Sequence, residues 1–252
     1  MWQKLVPILL LVLAVVCLIL GVTGFRFDRQ TSFGTAVLVI DTSASMSRTD
    51  IEPSRLGAAE QAAAAFIEEL PPGIRVGVIA FFGEAIEEVA PTPDQEAASA
   101  ALSGLTRGRG TRIGDALTLA LDSIEADWAK DGERAAAVVL LSDGITLAPD
   151  EVSPDVAAER AARLEIPVST VLLSQDVKLN NDALLEDIAT TTGAEAFTAE
   201  TAGELTQVYQ DLGVQLSTDL EVSGASSGFI FAAVVFAIAA AIIVLASQRS
   251  DY

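Results

Sequence analysis

Between residues 35 and 218 short apolar runs alternate with stretches whose apolar residues recur at helical spacing. Residues 35–40, 75–82, 136–141 (AAVVLL) and 168–173 are nearly continuous in apolar character, which predicts strands covered on both faces. Residues 85–89, reached through a turn at Gly83, predict a short edge strand, and 194–198 a last short one. Helices are predicted over 53–70, which opens with proline, and over 95–102, 113–126, 155–164, 182–192 and 202–216. Strands alternating with helices imply an α/β fold, a doubly wound, mostly parallel sheet flanked by helices in a Rossmann-like arrangement.

Two further runs break this pattern. Residues 5–25 and 229–246 are uninterrupted and uncharged, close to the roughly 20 residues that cross a hydrocarbon core. They predict a transmembrane anchor at 1–27 and a second transmembrane helix at 229–247, on either side of an α/β domain at 34–218. A joint at 219–228, ending in SGASSG, and a tail at 248–252 complete the division. The first run exceeds the ~7–15 apolar residues of a secretory signal, so it reads as an uncleaved anchor. Asp219 and Glu221 precede the second run and Arg249 follows it, while Lys4 and Arg26 divide the vote at the first. The expected topology is therefore two-pass in the cell membrane, with cytoplasmic termini and an extracytoplasmic domain.

Composition narrows the function classes. The formal net charge is −20, from 35 acidic and 15 basic residues, which excludes a basic nucleic-acid footprint. The chain has no histidine, which excludes a Ser-His-Asp triad and an imidazole zinc site. Cys17 is the single cysteine, so no intramolecular disulfide forms.

Candidate chemistry gathers where strands end. The first strand runs into Asp41, with hydroxyls at Ser43 and Ser45. A carboxylate and two neutral hydroxyls make one edge of an oxygen cage for a hard cation such as Mg²⁺; equally, Ser and Thr after a strand make an ordinary turn. Asp143 follows the strand AAVVLL in the segment LLSDG, and Thr111 stands before a helix in RGRGTRIGDAL. If the strands ending at Asp41 and Asp143 are neighbours, two carboxylates and three hydroxyls meet at one sheet edge, where open α/β sheets bind ligands.

In that order, DTSAS, the later Thr and the later Asp resemble the metal-ion-dependent adhesion site of the von Willebrand factor A (VWA) fold. The segments DTSASM, DIEPSRL, GVIAFFG, GTRIGDAL and LLSDG, with membrane runs on both sides, resemble the bacterial Bat (aerotolerance-type) proteins associated with MoxR-type AAA+ ATPases. The resemblance implies a Mg²⁺ site, with Mn²⁺ or Ca²⁺ as alternatives, formed by Asp41, Ser43, Ser45, Thr111 and Asp143. It implies a protein partner whose acidic side chain fills an open metal position, a MoxR-type ATPase and sibling VWA proteins as associates, and membrane lipid around the spans.

Arg107, Arg109 and Arg112 flank Thr111, where they either steer an acidic partner or merely balance an acidic surface. Asp50 and Glu52 lie near the metal loop, where the start of a helix also favours acids. The leading expectation is a membrane-anchored, non-enzymatic binding module. The alternatives are Mg²⁺-dependent phosphoryl transfer at Asp41, and a structural membrane protein with an empty site. Phosphoryl transfer is disfavoured because Ser43 stands where an Asp-x-Asp loop places its general acid and no phosphate-binding Gly-x-x-x-x-Gly-Lys loop exists.

Overall fold

The computed structural model describes residues 34–132, 135–143, 150–173 and 182–222. Both runs predicted to span a membrane lie outside the described residues, as does the 223–228 part of the joint. Among the described residues no helix is long and apolar enough to cross a membrane.

In chain order the elements are β1 (Thr35–Asp41), a 3₁₀ turn (Ala44–Ser47), α1 (Arg55–Glu69), β2 (Arg75–Phe81), β3 (Ala85–Thr92), α2 (Gln95–Leu102) and α3 (Ile113–Asp131). β4 (Ala136–Ser142), α4 (Pro154–Arg163), β5 (Val168–Leu173), α5 (Asp182–Thr192), β6 (Ala196–Ala199) and α6 (Ala202–Val222) follow. Six strands form one sheet in the order β3-β2-β1-β4-β5-β6. All neighbours are parallel except the edge pair β2 and β3.

The central strands bury both faces because both sets of alternate residues are apolar. Ala36, Leu38 and Ile40 of β1, with Ala137, Val139 and Leu141 of β4, pack on one side against Phe66 of α1 and Tyr209 of α6. These two rings meet edge to face at 5.9 Å between centroids, a favoured aromatic geometry. Val37 and Val39, with Val138 and Leu140, face the other side, against Leu117, Leu121 and Ile124 of α3 and Ala157 and Ala161 of α4. β1 lies between β2 and β4, so the connection through α1 runs to one side of it and the connection through α3 to the other. The carboxyl ends of β1 and β4 thus flank the point where strand order reverses.

Element ends differ from expectation for local reasons. α1 starts at Arg55 rather than at residue 53, because Ser54 caps it by accepting from the Gly57 N–H at 3.0 Å. β3 continues to Thr92 through Pro91, which an edge strand tolerates; the Pro91 carbonyl accepts from Arg75 at 2.9 Å. α3 runs past residue 126 because Asp127 is buried and ion-paired to Arg75 at 2.8 Å and Trp128 packs on the core; it stops as Gly132 takes φ of 91°. α6 extends to Val222, into the predicted joint.

Candidate metal centre

β1 and β4 pair in parallel with Ile40 opposite Leu141. The next residues are Asp41 and Ser142, and the Ser142 hydroxyl donates to Asp41 Oδ2 at 2.7 Å. Asp143 follows at once, so the pairing of the two strands brings both predicted carboxylates to one edge. Asp41 and Asp143 are each fully buried. Asp41 Oδ1 also accepts from the Ser43 N–H at 2.9 Å, which bends the chain out of the strand. The 3₁₀ turn then sets the Ser43 and Ser45 hydroxyl oxygens 3.0 Å apart.

Thr111 comes from a different part of the chain. Its loop is laid across the ends of β1 and β2 by three backbone bonds: Gly108 N–H to the Thr42 carbonyl at 3.4 Å, Gly83 N–H to Arg109 at 2.9 Å, and Arg112 N–H to Phe82 at 2.9 Å. The approach is close enough to require glycine at 83, where a Cβ would stand 2.5 Å from the Arg109 carbonyl oxygen. Thr111 is fully buried, and its hydroxyl has no hydrogen-bond partner among the described residues. Buried polar groups are nearly always paired, so the orphaned hydroxyl leaves a donor and an acceptor open to a water or an ion at these strand ends.

The electrostatics point the same way. Removal from water pushes the Asp41 carboxyl up to about 6; hydrogen bonds from Ser43 and Ser142 oppose that shift and the charge of Asp143 adds to it. The site is therefore short of positive charge. Arg55 supplies part of it: its buried guanidinium donates from Nη1 to Asp143 at 3.1 Å and from Nε and Nη2 to Asp50. Arg55 holds Asp50 below the usual carboxylate range. The sequence reading missed both Arg55 and Ser142. Of the arginines beside Thr111, Arg107 pairs with Glu60 at 3.0 Å, and Arg112 with Asp115 at 3.4 Å and Glu151 at 3.9 Å. Arg109 is exposed.

A model of the von Willebrand factor type A domain matches residues 36–145. The UPF0353 protein of Mycobacterium sp. (strain KMS) is 34% identical over 270 residues, spanning 98% of this chain and 80% of that protein. In fold, the chain is similar to a BatB protein from Bacteroides thetaiotaomicron, with a TM-score of 0.61 at 22% identity over 73% of this chain and 99% of that one. It is similar to the same extent to an aerotolerance-related membrane protein from Bacteroides fragilis NCTC 9343, with a TM-score of 0.61 at 20% identity and the same shares of each chain.

Proposed function

The chain belongs to the UPF0353 family and carries a von Willebrand factor type A domain, and from that premise we propose that it is a binding module which grips an acidic side chain of a protein partner through a divalent cation. Asp41, Ser43, Ser45, Thr111 and Asp143 would hold the ion. Among the described residues no three His, Cys, Asp or Glu side chains cluster as a metal site, so the cage depends on hydroxyl oxygens. Two carboxylates, one of them bonded to Arg55, give the cation few compensating charges. Such an ion stays electrophilic and keeps an appetite for an outside carboxylate, and hard oxygen donors suit Mg²⁺, with Mn²⁺ or Ca²⁺ as alternatives. The observation that carries the reading is the buried, unpartnered hydroxyl of Thr111 on a loop bonded to the end of β1.

We place the module at the cell membrane, held by the apolar runs at 5–25 and 229–246, with the domain extracytoplasmic. The likeness in fold to an aerotolerance-related membrane protein supports a membrane setting. A MoxR-type ATPase in the cytoplasm would then act through the spans or through a sibling VWA protein, in the assembly or remodelling of envelope complexes. Thermal unfolding of the full chain in detergent micelles tests the ion. At constant ionic strength, saturating Mg²⁺ against EDTA is expected to raise Tm by about 5–10 °C, the shift that a ligand near 100 times its Kd gives a domain of this size. Asp41→Ala is expected to lose most of that rise. An equal rise in wild type and variant would sink the metal reading.

A further inference from the structure

Eight arginines lie among the described residues, and six of them spend their charge on carboxylates: Arg55, Arg75, Arg107, Arg112, Arg160 and Arg163. In a chain with 35 acidic residues that is the expected fate of a cation. The two that pair with nothing among the described residues are Arg48 and Arg109, and both are exposed. They are far apart in sequence, yet each belongs to a loop that walls the candidate metal centre. The Arg48 N–H donates to the carbonyl of Ser45, and its own carbonyl accepts from the N–H of Arg55, which bonds Asp143. Arg109 stands between Gly108, tied to Thr42, and Thr111, and its carbonyl is tied to Gly83. Both backbones are thus fixed while both guanidinium groups are left to solvent.

We propose that Arg48 and Arg109 form a two-pronged clamp for an acidic peptide segment of the partner, a contact separate from the carboxylate that meets the cation. This rests on the metal reading for the position of that first carboxylate, but not for its own charge. Arginine suits the task because its planar fork binds carboxylates in pairs of parallel hydrogen bonds. The rest of the surface supplies the contrast. With a net charge of −20 the molecule repels polyanions except where local cations are unspent. The other exposed cation without an ion pair among the described residues, Lys130, stands in the last turn of α3, at the far end of that helix from Thr111, so only the two arginines act together and set where on the domain an acidic segment settles. It also corrects the expectation for the arginines beside Thr111: Arg107 and Arg112 are consumed by Glu60, Asp115 and Glu151, and only Arg109 of the three is available.

The probe is fluorescein-labelled hexaglutamate, with hexaglutamine as control, titrated against the full chain in uncharged detergent micelles with Mg²⁺. Hexaglutamate is expected to bind and hexaglutamine not to. The double variant Arg48→Ala/Arg109→Ala is expected to bind about tenfold more weakly, as two exposed charge pairs near the upper end of their usual contribution would give, with a flatter dependence on salt. Arg163→Ala should match wild type, and Arg48→Lys/Arg109→Lys should recover part of the loss. At constant ionic strength the double alanine variant should keep the rise in Tm on exchange of NaCl for MgCl₂, which shows that fold and metal site are intact. Unchanged binding by the double variant, or no preference for hexaglutamate, overturns the clamp. Arginine-dependent binding that is the same in EDTA upholds the clamp and counts against the metal. Binding that needs Mg²⁺ and Asp41 but not the arginines does the reverse.

Discussion

The guanidinium of Arg55 lies buried between Asp50 and Asp143, and its three nitrogens serve both carboxylates, Nε and Nη2 on Asp50 and Nη1 on Asp143. Replacing it by methionine keeps the apolar stem and withdraws the positive charge beside a fully buried aspartate. Breaking a buried pair from one side costs about 3–5 kcal/mol, so in EDTA Arg55→Met is expected to lower stability to urea by that order. A cation bound against Asp143 restores positive charge at the same place, so with Mg²⁺ the cost should shrink by about half or more. A cost that is the same in both conditions would show that Arg55 and the cation do not share Asp143. Residues at this scale were unequally legible. Asp41, Ser43 and Ser45 sit within one short motif, and Thr111 and Asp143 declare themselves by their place at element ends. Arg55 reaches Asp143, and Ser142 reaches Asp41, across 88 and 101 positions. Nothing in a local pattern reports such a pairing; Arg55 reads only as the first residue of a helix.

At the scale of elements, the strands were legible because their apolar runs are dictated by burial on two faces, and the helix ends were not, because caps and close contacts decide them. The first turn of α3 shows this and bears on the site, since Thr111 precedes the helix by two residues. Asp150 Oδ1 accepts from the Gly114 N–H at 3.1 Å, while Asp115 Oδ1 accepts from the Glu151 and Val152 N–H groups at 2.9 and 3.0 Å. These reciprocal bonds press the turn against the segment that opens α4. A Cβ on Gly114 would stand 1.9 Å from the Val152 carbonyl oxygen and 2.8 Å from the Pro154 nitrogen, both backbone atoms with little room to yield. Gly114→Ala is therefore expected to cost about 1–3 kcal/mol or more and to weaken the Mg²⁺ response by shifting Thr111. Gly203→Ala in α6 is the control, since its Cβ would meet nothing nearer than the Thr201 hydroxyl at 4.0 Å. There the helix gains about 0.4–1 kcal/mol from the lost freedom of the unfolded chain. Urea unfolding of the two variants should move the midpoints in opposite directions; movement in the same direction would mean that the turn is not held by this contact.

For the molecule as a whole, the alternation of elements predicted the fold class but not the strand order. That β1 is central, and that β3 turns back antiparallel at the edge, follows from which helices cover which face, a matter of long-range packing. Charge, by contrast, is legible in full and has a consequence at this scale. Of the 35 acidic residues 33 lie between residues 32 and 221, with 11 of the 15 basic ones. A domain so charged repels itself, and dissolved salt relieves that repulsion whatever its cation. NaCl is therefore expected to raise the Tm of wild type and of Asp41→Ala by the same amount. Mg²⁺ screens as well, so a rise in Tm with MgCl₂ alone does not identify a site. The discriminating comparison holds ionic strength constant and exchanges NaCl for MgCl₂. Wild type should gain a further increment that saturates with Mg²⁺ concentration, and Asp41→Ala should gain little or none. If the increment is absent in wild type, or grows without saturation in both proteins, the stabilisation belongs to the surface charge and not to the site at the carboxyl ends of β1 and β4.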